Sequence, residues 1–389
     1  MTEAISDNVI LSYIEEDTFG TKKSGSNLQL LRHTGETLKT NLGVVQSAEI
    51  TGDRQLAGVK KTSQSVGGDI NYELSYGTQF EDFFRAALMY GAAWKAEETN
   101  IVAQVTIDAS DVDNSFNDSG NGLAAFDTGE WVYVAGFTET ANNGFFRLES
   151  VAAAKIIVSG GTLVTEAAGD SVTITQLASI TNGSTDVSFN IEREYDDIGS
   201  DYMLFLGMML EGFTMSVVPE QIITGAFNTI GKTYEALTAS AGSGYDAKST
   251  TDWLNAVDDV LGLLENQSAI TLAQLDLAVA NNLRQRLVLG SLGPQSMGAG
   301  QFNVSGSIQV YYESKTLFTK FLNQTETQLA FKLQDTAGNT YIIDLPAVKF
   351  SDGTRNAGAK ESDIMANLNF LAYKDSSLGH TMKICKKDA

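Results

Sequence analysis

The sequence predicts a mainly β protein with two repeated β-sandwich or barrel folds, each carrying one short helix, plus an inserted small all-β module. Three observations carry this. Apolar and polar residues alternate with period 2 in many short runs. A strand, helix, strand pattern occurs twice, and a repeat fixes the architecture before any motif does. The 36 Gly against 3 Pro give many turns built without proline.

The first copy opens at Gly68-Asp-Ile70-Asn-Tyr72-Glu-Leu74-Ser-Tyr76, with Ile, Tyr, Leu and Tyr on one face and Asp, Asn, Glu and Ser on the other. Thr78 to Glu81 has the spacing of a capping box, and Phe80, Phe83, Phe84, Ala87 and Leu88 then form one helical stripe. In the second copy Gly306-Ser-Ile308-Gln-Val310-Tyr-Tyr312 is the strand and Leu317, Phe318, Phe321 and Leu322 are the stripe. Beyond the helix, Val187, Phe189 and Ile191 alternate with polar residues, as Leu329, Phe331 and Leu333 do with their neighbours. A turn and a strand follow each: 197–202 leads to Phe213 and 335–341 to Phe350. Both copies close with a strand, Gly-Ala-Phe-Asn at 225–228 and Ala-Asn-Leu-Asn at 366–369.

Gly68 to Phe189 spans 121 positions and Gly306 to Phe331 spans 25, so the first copy holds 96 extra residues, from about 95 to 183. Within them, β-rich runs at 130–134, 144–148, 155–158 and 171–175 are separated by turns such as Asn142-Asn143-Gly144 and Gly160-Gly161. The chain is thus expected to divide into 1–96 (first fold, N-terminal part), 97–183 (inserted module), 184–231 (first fold, completion) and 232–389 (second fold). Residues 15–27 are expected to be an exposed arm or loop, and 251–266 a short helix or structured loop.

Charge excludes several functions. With 48 Asp+Glu against 26 Lys+Arg the net charge is −22, which repels nucleic acid and anionic membrane at long range. Residues 97–180 hold 12 acids and 2 bases, so −10 of this belongs to the module and −12 to the rest. At 43% hydrophobic the chain has ample material for a core. No stretch reaches about 18 apolar residues, and the start MTEAISDNVI has no cationic region before an apolar run, so a soluble, cytosolically made protein without membrane insertion is expected.

The chemical motifs fail one by one. Gly225-Ala-Phe-Asn-Thr-Ile-Gly-Lys-Thr233 resembles a phosphate loop but has five residues between its glycines where the motif needs four, so a strand is expected there. The acidic run Asp108 to Asp118 has Phe116 and Gly122 in place of the EF-hand Gly and Glu; a solvated, turn-rich loop is expected, with an irregular calcium site as the sharper alternative. Cys385 is the one cysteine, so it has no disulfide partner, and His33 and His380 have no catalytic context. Asp196-Asp197 and Asp258-Asp259 sit in turn contexts. No enzyme, catalytic residue, cofactor or metal is expected.

At this point the residues carry a likeness. Ser47-Ala-Glu49-Ile50-Thr-Gly-Asp53-Arg54-Gln55, the segment from Gly68 to Gly77 with its helix, Asn142-Asn143-Gly144, Phe189-Asn-Ile-Glu-Arg193, Gly225-Ala-Phe227, Gly290-Ser-Leu-Gly293 and Leu345-Pro346 together resemble the tail tube proteins of long-tailed, siphovirus-type bacteriophages. The second copy lacks the Glu-Ile…Asp-Arg-Gln pattern. The resemblance implies two tail-tube-type folds in a virion structural protein, made in the host cytoplasm. It implies self-assembly into stacked rings of the tail tube, a conduit for DNA ejection, with DNA only as passing cargo. Implied partners are further copies of the chain, the tape measure, the tail terminator and the tail tip. The duplication suggests six tube folds per ring from three chains. The module, too large for a lumen, is expected outside and dispensable for assembly. The alternative is a tail-tip, terminator or decorating adhesin that binds the host surface.

Overall fold

The computed structural model describes residues 3–266, 268–355, 360 and 363–389. Among these the chain is mainly β, with one network of nineteen strands, a separate sheet of seven and two α-helices. The first set of strands is β1 (Val9–Glu15), β2 (Lys39–Gln46), β3 (Val59–Glu73), helix α1 (Thr78–Ala87), β4 (Ser188–Tyr195), β5 (Tyr202–Val217), β6 (Thr224–Gly231) and β7 (Thr233–Leu237). They pair antiparallel in the order β2-β3-β6-β5-β4-β1, with β7 beside the first half of β5.

The second set is β8 (Val260–Glu265), β9 (Leu272–Ala280), β10 (Asn303–Tyr311), helix α2 (Thr316–Asn323), β11 (Thr327–Gln334), β12 (Thr340–Arg355), β13 (Met365–Ala372) and β14 (Lys383–Lys387). Its order is β9-β10-β13-β12-β11-β8, with β14 beside the first half of β12. Even the irregularities agree. β5 bulges against β6 between Leu210 and Gly212, and β12 against β13 between Phe350 and Asp352. Gly68 and Gly306 share a steric reason: a Cβ would lie 2.4 Å from the Thr37 carbonyl oxygen at one and 2.2 Å from that of Asp276 at the other.

The alternation seen in sequence becomes two faces. In β10, Val304, Ile308 and Val310 are buried while Ser305, Ser307 and Gln309 are partly exposed. In the first set the buried face meets α1. Phe80, Phe83 and Phe84 pack on Tyr72, Phe213 and Phe227, the Phe83 ring standing edge-on to Phe227 at 5.0 Å. Truncating any one of these phenylalanines to Ala costs about 3–5 kcal/mol.

The two sets are joined by backbone. The second half of β5 pairs with β9 from Gly212↔Ala280 to Val217↔Leu275. This makes one run of eight neighbours, β2-β3-β6-β5-β9-β10-β13-β12. The seven-stranded sheet occupies Glu98–Gln104 through Val172–Gln176 and has its own apolar centre, including Phe116, Val134, Phe146, Leu148 and Ile174.

Several local expectations are corrected. The capping box does not form: α1 starts at Thr78 itself behind Gly77 (φ 149°), and no side chain caps it. The acidic run is a hairpin, Ile107–Ser110 with Ser115–Asp118, because Ala109 and Phe116 enter the module core and fix its register. The 15–27 segment is pinned at Glu16 and Phe19, and 251–266 ends in β8.

Candidate functional surfaces

The eight-strand run curls, and its polar face lines a groove of about 920 Å³. Small polar side chains dominate it: Asn71, Thr214 and Ser216 from the first set, Ser305, Ser307 and Asn369 from the second. Asp276 is the one charged side chain among the described residues lining it, and its carboxylate accepts hydrogen bonds from Ser216 Oγ (2.6 Å) and Gln274 Nε2 (2.9 Å). No Lys or Arg is among the described residues that line it. On the neighbouring stretch of β12, Lys349 places its ammonium 5.7 Å from the Tyr373 ring centre. The groove itself thus offers a polyanion no cation to hold, and the nearby Lys349 ammonium is engaged with the Tyr373 ring.

A second surface is internal. Although the module lies between α1 and β4 in sequence, it docks on the second set. Asp344, fully buried on β12, accepts hydrogen bonds from Trp131 Nε1 (3.1 Å), Arg147 Nε (2.9 Å) and Gln328 Nε2 (3.0 Å). Burial alone would depress the Arg147 guanidinium, but Asp344 and Glu149 outweigh it and hold the group above its usual range. Trp131 and Phe145 pack with Leu264, Ala330, Ile342 and Cys385, and Lys383 Nζ lies 3.1 Å from Glu130. The short strand Ala178–Thr181 pairs with β14. In the first set the corresponding face, around Leu204 and Leu206, is covered by the chain's own 238–247 loop, where buried Glu192 accepts from Ser240 Oγ and Ala241 N.

Glu16 anchors the 15–27 segment. Its carboxylate accepts from Gly20 N and Gly207 N, both 2.7 Å, from Ser188 Oγ at 2.6 Å and from Asn190. Burial raises its pKa against the opposing pull of those bonds.

The structure places each of the residues weighed in sequence. The phosphate-loop lookalike is β6. In the acidic run Asp118 accepts from Thr106 Oγ1, Gly120 N and Gly122 N, while Asp108 accepts from Asn117. Among the described residues no three His, Cys, Asp or Glu side chains are grouped to hold a metal. His33 and His380 are both depressed, first by burial and then by Lys248 and Lys383 respectively. Cys385 is fully buried, which raises its thiol. Asp197 accepts from Ile5 N and Asp259 from Asn255 N. Sequence reasoning missed Asp344; its signal was a lone carboxylate inside the apolar run Tyr341-Ile-Ile-Asp-Leu345.

No helix among the described residues is long and apolar enough to cross a membrane. A duplicated sheet with a polar concave face and unpaired outer strands defines a structural β protein suited to assembly. The chain belongs to the phage tail tube protein family, whose model matches residues 6–372. It is therefore a structural component of a phage tail, part of a multimeric tube. No curated protein matches the chain.

Proposed function

We propose that copies of this chain close into rings that stack as the tail tube of a long-tailed phage, with the groove facing the bore through which DNA is ejected. The observation that carries this is the eight-strand run whose groove is lined, among the described residues, by no Lys or Arg. In this reading 1–96 and 184–231 form the first tube fold, 232–389 the second, and 97–183 a module on the outside. Tape measure, terminator and tail-tip proteins are the heterologous partners.

Barrel geometry favours three chains. Strands spaced about 4.8 Å and tilted about 40° would close about 24 strands, eight per chain, at a backbone diameter of about 48 Å, whereas six chains would give about 96 Å. The smaller ring still passes a duplex. Negative-stain microscopy of the purified chain tests the function: hollow tubes with an axial repeat are expected, and dispersed monomers under all assembly conditions would overturn it in favour of a tip or decorating role.

A further inference from the structure

The two helices match in sequence and differ in burial. Each begins ten positions after its copy's glycine, Gly68 for α1 and Gly306 for α2. Phe80, Phe83 and Phe84 thus correspond to Phe318, Phe321 and Leu322. The first three are essentially inaccessible, whereas no residue of α2 is buried and Leu322 is 63% exposed. Phe80 and Phe83 are covered within their own set by Tyr72, Tyr13 and Phe189, and what α1 has in addition, and α2 lacks, is a neighbour from the other set. The Phe84 ring lies 5.8 Å from Tyr341 of the second set, and Asn281, just past β9, donates Nδ2 to the Ala87 carbonyl at 2.8 Å. The β5–β9 ladder holds that neighbour in place.

The internal repeat says what would cover α2. Matching the bulges makes Gly212 of β5 the counterpart of Asp352 of β12. Gly306 stands opposite Leu277, and Gly68 stands against Thr37 and Leu38, so Leu38 corresponds to Leu277 and the start of β2 to β9. Among the described residues, β12 has no ladder partner on its other side at 352–355, and β2 has none on its outer side at 39–41. Both edges are free where their counterparts are joined.

We infer that the exposed apolar face of α2 and the free edge of β12 seat a second copy of this chain, whose β2 pairs with Asn41 opposite Asp352, Thr40 opposite Gly353 and Lys39 opposite Thr354. The contact rests on the ring reading and specifies its joint. Leu42 of the incoming copy, 51% exposed, occupies the place of Asn281 and meets the α2 end where Leu322 projects. Two apolar side chains that are costly to leave in water cover one another there. The contact is heterologous, so it closes into a ring when the rotation allows.

The test is a cross-link in assembled protein. A K39C/T354C chain, oxidised mildly, is expected to give covalent dimers and trimers on non-reducing gels, since opposite residues bring their Cβ atoms within about 5 Å. N41C/T354C, two residues out of register, is expected to cross-link at least tenfold less, and buried Cys385 stays silent. L322D is expected to leave the monomer's thermal midpoint unchanged and abolish rings. Rings that form without the K39C/T354C cross-link, or that form normally from L322D, would overturn this contact alone. Absence of rings from the unsubstituted chain would overturn the ring reading and this contact with it.

Discussion

Arg147→Met is the perturbation with the most specific consequence. Arg147 is 5% exposed and its Nε lies 2.9 Å from the fully buried Asp344 carboxylate. Removing one partner of a buried pair typically costs 3–5 kcal/mol, because the remaining charge stays desolvated. Trp131 and Gln328 still donate to Asp344, which places the cost near the low end, about 3 kcal/mol. If that falls on the docking of the module, its opening equilibrium rises by about 100-fold, at 1.4 kcal/mol per factor of ten. Cys385 reports it directly: it is the one cysteine, buried beneath Trp131 beside Ile342 and Ala330. Its labelling by a thiol reagent under native conditions should accelerate by about that factor, and D344L in the same chain should recover most of the loss. An unchanged labelling rate together with an unchanged thermal midpoint would refute the assignment of this network as the module's anchor. The same contact alters what deletion of 97–178 should do: it would bare Asp344, Ile342 and Cys385, so the deleted chain is expected to lose stability even if the module lies outside the tube.

Gly212→Val should break the join between the two sets, since a Cβ there would sit 1.8 Å from the Val279 carbonyl oxygen; a loss of about 3 kcal/mol in denaturant unfolding is expected. Glu16 has a pKa raised by burial, so the folded chain binds its proton more readily than the unfolded chain. Its contribution is therefore greatest below the ordinary glutamate range and is lost as pH rises through the folded value; Glu16→Gln should remove that slope from a stability-against-pH curve. Ser307→Lys with Asn369→Lys, both on the groove face, should leave folding intact and create salt-sensitive DNA binding by the assembled protein, measured by retention of labelled duplex at low ionic strength.

Much of the fold was legible because a strand with one buried face writes a period of two into its sequence. Val304, Ile308 and Val310 do so, as do Ala366, Leu368 and Phe370. The close carbonyl contacts at Gly68 and Gly306 explain why those glycines open the repeat. What escaped was non-local or locally ambiguous. Pairing of β5 with β9 leaves no mark in either strand, because any edge can accept any other. The Asp108 to Asp118 hairpin was hidden by its charges, since only Ala109, Phe116 and a few neighbours face inward. Glu16 looked like part of a solvated arm, and only the fold shows four donors converging on it. The polar side of the strands was readable, but its concavity was not, since curvature comes from the summed twist and bulges of eight strands.

Cryo-electron microscopy of the tube, with cross-sections classified without imposed symmetry, tests the central claim most directly. Three chains presenting six similar lobes around one bore, with a threefold module pattern outside, is the predicted result. Six full chains per ring, or a bore lined by any face other than that of Asn71, Thr214, Ser307 and Asn369, would contradict it.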